Sequence, residues 1–269
     1  MKVLVLGSAG FLMSNFMRYV SYRSKDFEFV SVDKLTNPEN IRFIYRNRNH
    51  QFYIGDTSDK YFMDRVIYVE KPDVIVNGIY ETDKRKKFMD SCLLSSYGIP
   101  FIMLEYFAQK EDLQPLEKII TSNNGVILYL PNCFGWRQKI NSGFAKIVSD
   151  CINKKVNVSD EPLSWAFAED VASLLWMLSE EKTKGILHMP TNTKLSTKFL
   201  VDEIIKTLDL KDVEINSGQK VDSLYYGTFT QNPRGVWKSD YENFVVPLEK
   251  TIKWYESNKW IFTIGATDE

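Results

Sequence analysis

The chain has 269 residues, 44% hydrophobic and 26% charged, with 34 basic side chains against 35 acidic ones. A formal charge of −1 lacks the clustered surplus of Lys and Arg that phosphate neutralisation requires, so no nucleic-acid partner is expected. The apolar content excludes a disordered chain, and no run reaches the ~18 consecutive apolar residues of a membrane span. Three unclustered cysteines, Cys92, Cys133 and Cys151, predict a reducing, cytoplasmic setting without disulfides. The apolar run after Met1-Lys2 is too short for a secretory signal.

Residues 2–6 (Lys-Val-Leu-Val-Leu) read as a buried strand, and Gly7 to Gly10 as a turn. Residues 11–23 carry Phe11, Met13, Phe16, Met17 and Val20 at helical spacing. Further strands are predicted at 27–32, 51–54, 74–76, 101–104 and 125–129. Helices are predicted at 61–70, stopped by Lys71-Pro72-Asp73, and at 83–97, ended by Gly98. Beyond Gly135 the spacing predicts helices over 143–153, 169–180, 196–208 and 248–257, separated by short strands and turns. Strands alternating with helices predict an α/β, Rossmann-like doubly wound parallel sheet over residues 1–135. A smaller, mixed part over 136–269, intertwined with the first, is expected to bind substrate.

The Gly7-Ser8-Ala9-Gly10 turn follows a strand and opens a helix. Glycines at such a turn let the backbone bend tightly and let a pyrophosphate approach the helix N-terminus. Asp33 ends the second strand, at the separation expected of an acid that accepts ribose hydroxyls, and Asp56 follows the third. One departure stands out: the third glycine of this fingerprint is Met13 here. His50 and His188, the two histidines, read as structural, and with no Cys-x-x-Cys or His-Glu-x-x-His no metal site is expected. Chemistry then falls to a cofactor and to Tyr, Lys and carboxylates.

Three N-terminal segments resemble dTDP-glucose 4,6-dehydratases, among the extended short-chain dehydrogenases acting on nucleotide sugars. They are the stretch from Gly7 to Val20, Val32-Asp-Lys-Leu-Thr36 and Gly55-Asp-Thr-Ser-Asp-Lys60. Lys71-Pro-Asp-Val-Ile-Val-Asn77 and Thr251-Ile-Lys-Trp-Tyr255 match too. Residues 158–172, with Ser164-Trp-Ala-Phe-Ala-Glu-Asp-Val171, and Lys184-Gly-Ile-Leu-His-Met189 look instead like 4-keto-6-deoxysugar reductases.

The resemblance implies a dinucleotide held by Gly7, Ala9, Gly10, Phe11, Leu12, Asp33, Lys34, Asp56, Thr57 and Asn77. Asp33 favours NAD because a carboxylate repels a 2′-phosphate, while the adjacent Lys34 keeps NADP open. It also implies a catalytic Tyr and a Lys four residues on, sharing one helix face. Tyr106 and Lys110 have that spacing, and Gln114 with Lys118 is the rival placement, in which Pro115 sits comfortably in a first helical turn. The family's Ser or Thr at the end of the fifth strand and its Asp-Glu pair are missing, and Glu105 is at most a partial substitute. Asn132, Arg137 and Arg234 are the residues expected to contact a nucleotide-sugar diphosphate. The implied reaction is NAD(P)-dependent reduction of a 4-keto-6-deoxy nucleotide sugar linked to UDP or dTDP. The alternatives are a nucleotide-sugar 4,6-dehydratase or epimerase, and a catalytically silent dinucleotide-binding subunit. A homodimer is the family's usual assembly, though one of its two pairing helices is short or interrupted here.

Overall fold

The computed structural model describes residues 1–36, 38–44, 49–80, 83–106, 114–189, 191, 193–219, 224, 239, 241 and 243–261. The first half of the chain runs β1 (Lys2–Leu6), α1 (Phe11–Arg23), β2 (Glu28–Asp33), a 3-10 helix (Pro38–Phe43), β3 (His50–Ile54), α2 (Lys60–Glu70), β4 (Val74–Asn77), α3 (Lys84–Ser96) and β5 (Phe101–Tyr106). It continues through α4 (Gln114–Ser122), β6 (Gly125–Leu130), β7 (Asn132–Phe134), α5 (Gly143–Ile152), β8 (Lys155–Val158), β9 (Leu163–Phe167) and α6 (Ala168–Glu181). The last elements are β10 (Gly185–His188), β11 (Lys194–Leu195), α7 (Thr197–Leu208), β12 (Glu214–Ser217) and α8 (Val245–Ser257). They group into two compact units, Met1–Leu130 with Val171–His188, and Pro131–Asp170 with Met189–Glu269.

The first unit holds a seven-stranded sheet in the order β10-β6-β5-β4-β1-β2-β3. Each neighbouring pair is parallel. A parallel sheet is covered on both faces, which is why Val3 to Leu6 form an unbroken apolar run and are wholly buried. Helix α1 lays Leu12, Met13, Phe16, Met17 and Val20 into this core, with Phe16 edge-on to Phe29 at 5.8 Å. Trp176 of α6 packs edge-on to Tyr19 and Phe27. The fold is the Rossmann-like α/β sheet that the alternation predicted. Its strand order reverses between β1 and β4, and in such sheets ligands bind outside the carboxyl ends at that switch point.

The second unit contains a three-stranded sheet, β11-β9-β7, and a parallel pair, β12-β8. Its core is aromatic: Phe134 lies 5.8 Å from Phe144 and 5.3 Å from Phe167, and Phe144 meets Trp165 edge-on. The Tyr255 hydroxyl of α8 donates to the Gly135 carbonyl at 3.1 Å and accepts the Gln138 N–H at 3.2 Å, pinning the loop after β7.

Candidate functional site

Helices α2 and α3 begin under aspartate caps, Asp59 and Asp83, whose carboxylates each accept two backbone N–H groups. Helix α1 is different. Its N-cap is Gly10, with no side-chain cap hydrogen bond, so the first-turn N–H groups, those of Phe11 and Leu12 among them, keep their donors for something else. The turn feeding it is tight: Gly7 has φ +72°, and its N–H and the Gly10 N–H bond to the carbonyls of Val32 and Gly7. A Cβ on Gly7 would come within 3.0 Å of the Ile79 side chain, so only glycine fits. Ser8, in the same turn, buries a hydroxyl with no hydrogen-bond partner among the described residues. An uncapped helix start, a turn framed by two glycines and a buried hydroxyl without a partner among the described residues together suit an anionic ligand.

Asp33 closes β2 beside this turn. One carboxylate oxygen accepts the Ala9 N–H at 2.8 Å and the other the Leu35 N–H at 2.8 Å. Each oxygen has a second lone pair, so the carboxylate is oriented without being saturated and can still accept ribose hydroxyls. The Asp33 carbonyl accepts the Gly55 N–H at 3.1 Å, which ties the end of β3 alongside. Asp56 follows, and its carboxylate takes Lys34 Nζ at 2.7 Å and both the N–H and the hydroxyl of Ser58. Lys34 and these donors hold the Asp56 carboxyl well below the usual carboxylate range. Thr57 is half-buried in the same turn.

Met13 is fully buried, and the volume it adds is matched by Gly78. A Cβ on Gly78 would lie 2.3 Å from Met13 Cγ. Space that the third glycine would open on the helix is opened on the loop after β4 instead. Asn77, 5% exposed, caps that loop by accepting the Ile79 N–H at 3.0 Å.

At β5 the structure corrects the helical expectation. Tyr106 is the last residue of the strand, and the helix that follows begins at Gln114. Tyr106 therefore stands on a strand, and Lys110 lies outside the described residues. The Gln114–Lys118 spacing falls on a helix, with Pro115 in its first turn. The Tyr106 ring meets Tyr80 edge-on at 5.5 Å. Its neighbour Glu105 points to the opposite face of the sheet and accepts from Lys87 Nζ at 2.8 Å, with the two side chains only 2% and 3% exposed. Burial pushes the Glu105 carboxyl up, and Lys87 opposes that shift. Across the register, Tyr129 pairs with Glu105 and donates its hydroxyl to Glu117 at 2.7 Å.

Both histidines are engaged structurally, His50 with the Ser31 hydroxyl at 2.6 Å and His188 stacked on Tyr129. Among the described residues no three His, Cys, Asp or Glu side chains gather as a metal site, and no helix is long and apolar enough to cross a membrane.

The glycine turn, Asp33, Lys34, Asp56 and Asn77 are thus brought to the carboxyl ends of β1 to β4. Asn132 and Arg137 belong to the second unit. Asn132 is buried and its amide donates to the Ser164 carbonyl at 3.4 Å, while Arg137 is half-buried with φ +69°. Arg234 lies outside the described residues. Two partners had escaped notice: Lys87, one of four basic residues in Lys84-Arg-Lys-Lys87, and Gly78, whose only signal is its place after a strand.

No protein-family model matches the chain. Over 80 residues it is 41% identical to the low-salt glycan biosynthesis protein Agl12 of Haloferax volcanii, a match spanning 29% of this chain and 25% of that protein. It is 22% identical to a probable dTDP-glucose 4,6-dehydratase of Sinorhizobium fredii, across 97% of this chain and 94% of that one. Among solved structures, a dTDP-glucose 4,6-dehydratase from Bacillus anthracis in complex with NAD superposes with a TM-score of 0.81 at 19% identity, covering 97% of this chain and 98% of that one. A UDP-glucose 4-epimerase from Thermotoga maritima, with UDP-glucose, gives 0.77 at 16% identity, covering 96% and 100%. The likeness is one of fold.

Proposed function

We propose that this chain is an NAD-dependent, nucleotide-sugar-modifying enzyme of the extended short-chain dehydrogenase type, closer to the dehydratases and epimerases than to the reductases. The carrying observation is the tight Gly7–Gly10 turn with Asp33 oriented beside it at the switch point of the sheet. The relatives named above by activity are dehydratases and an epimerase, and this ranks that class above reduction of a 4-keto-6-deoxy sugar. The Phe11 and Leu12 amides would hold the pyrophosphate, Asp33 a ribose, and Asp56 and Thr57 the region beyond it. Bound NAD would take up and return hydride at the sugar. Tyr106, from the end of β5, is the candidate to move the proton at a sugar hydroxyl, and Lys110 is the candidate lysine of the pair. Asn132, Arg137 and Arg234 are the candidates for the diphosphate of a dTDP- or UDP-sugar.

A second reading, a silent binding subunit, is favoured by one feature. The helix after β5 begins with Gln114 and has no tyrosine, while the acid at the strand end is locked to Lys87. Incubating the purified chain with NAD and dTDP-glucose or UDP-glucose separates the readings. Loss of one water from the sugar, read by mass spectrometry, or interconversion at C4, read by NMR, supports the enzyme. Dinucleotide bound with neither product supports the silent subunit. Full turnover by Tyr106→Phe would remove Tyr106 from the proton path.

A further inference from the structure

Lys34 is the residue that keeps NADP open, since an ammonium one residue past Asp33 could pair with a 2′-phosphate. Its charge, however, is already answered. Lys34 Nζ lies 2.7 Å from Asp56 Oδ2, on the neighbouring strand end that the Gly55 N–H ties to the Asp33 carbonyl. Asp56 is fixed in turn by Ser58, which donates its N–H at 3.0 Å and its hydroxyl at 2.7 Å to the other carboxylate oxygen. Asp33 is fixed by Ala9 and Leu35. Two oriented carboxylates therefore flank one lysine at the edge where a ribose would lie, and the local charge is negative.

We infer that Asp56 is a cofactor-selecting residue: by holding Lys34 and adding its own negative charge, it turns the site from NADP towards NAD. The inference rests on the dinucleotide reading above. A 2′-phosphate would have to displace Asp56 from Lys34 and then sit beside two carboxylates, whereas a 2′-hydroxyl needs only an acceptor. The Lys34 and Asp56 side chains are 60% and 36% exposed, so the effect belongs to a screened pair, modest in size and dependent on salt.

The test is the ratio of dissociation constants for NADP and NAD, measured by calorimetry on the full chain at low and high salt. Asp56→Asn keeps the side-chain shape and an oxygen for Ser58 while removing the charge. It is expected to shift the ratio about two- to fivefold towards NADP, the scale of a freed, partly exposed charge pair. The shift should shrink at high salt. Adding Lys34→Ala to that variant should abolish the gain. A ratio unchanged in Asp56→Asn, with NAD still bound by the wild-type chain, would overturn this inference alone. Failure of the wild-type chain to bind either dinucleotide would overturn it together with the reading beneath it.

Discussion

The carboxyl ends of β1, β2 and β3 and the carboxyl end of β5 belong to one sheet, yet they treat polar groups in opposite ways. At the first, the start of α1 has no side-chain cap, the Ser8 hydroxyl has no partner among the described residues, and Asp33 is oriented but half-exposed. At the second, Glu105 is sealed against Lys87 and Tyr129 is bonded to Glu117. One end keeps hydrogen-bonding capacity for a ligand, and the other spends its capacity within the chain. On the proposed function, binding and proton transfer would be carried by separable parts of this sheet. Tyr106, on the face opposite Glu105 and against Tyr80, is where they would meet.

The largest expected effect tests the sealed end. Lys87→Met leaves the Glu105 charge buried without its cation, and denaturant unfolding should show a loss of about 3–5 kcal/mol. Adding Glu105→Leu should restore most of it, and a double variant as unstable as the single would end the ion-pair account. The pH dependence has a definite sign. Burial raises the Glu105 carboxyl, so folding takes up a proton there and stability falls as pH rises above the ordinary carboxylate range. Without Lys87 that slope should steepen, so the deficit against wild type should be smallest in acid.

The open end is broken next. Asp33→Ala removes the acceptor proposed to face the ribose, and dinucleotide affinity should fall about 10- to 100-fold by calorimetry, the worth of hydrogen bonds to a charged group. Unchanged affinity would place the dinucleotide elsewhere. Gly78→Ala forces a methyl into Met13 and should destabilise by about 1–3 kcal/mol. Combined with Met13→Ala, the total loss should be smaller than the sum of the two single losses, because the pair shares one space. The smallest effect lies outside both ends. Tyr255→Phe strips the bonds to Gly135 and Gln138 and should cost about 1 kcal/mol in stability, with dinucleotide affinity unmoved.

Much of the first unit was legible because parallel strands buried on both faces are written as apolar runs. Lys2–Leu6 and Phe11–Arg23 match their predicted bounds, and several other elements differ by one residue at an end. The predicted bounds of β5 stop at Leu104, and the strand runs on through Glu105 and Tyr106. Only the distant Lys87 makes a buried glutamate tolerable there, and nothing in Lys84-Arg-Lys-Lys87 tells which cation turns inward. A four-residue spacing carries no record of whether the chain is coiled, so the Tyr106–Lys110 spacing could not tell that Tyr106 closes a strand. Met13 looked like a defect in the glycine fingerprint because the residue that compensates it, Gly78, lies 65 positions on. In the second unit, strands of two to five residues carry too little periodicity to be read.

The parallel pairing of β10 with β6 bears on how the chain is made. Strands β1 to β6 emerge first during synthesis, but the strand that covers the outer edge of β6 is not available until residue 188 has been translated. Through the intervening 58 residues, 131–188, a nascent chain displays β6 as an unprotected parallel edge, an invitation to mispairing. The order of translation thus sets a window of vulnerability for the sheet that carries the candidate site.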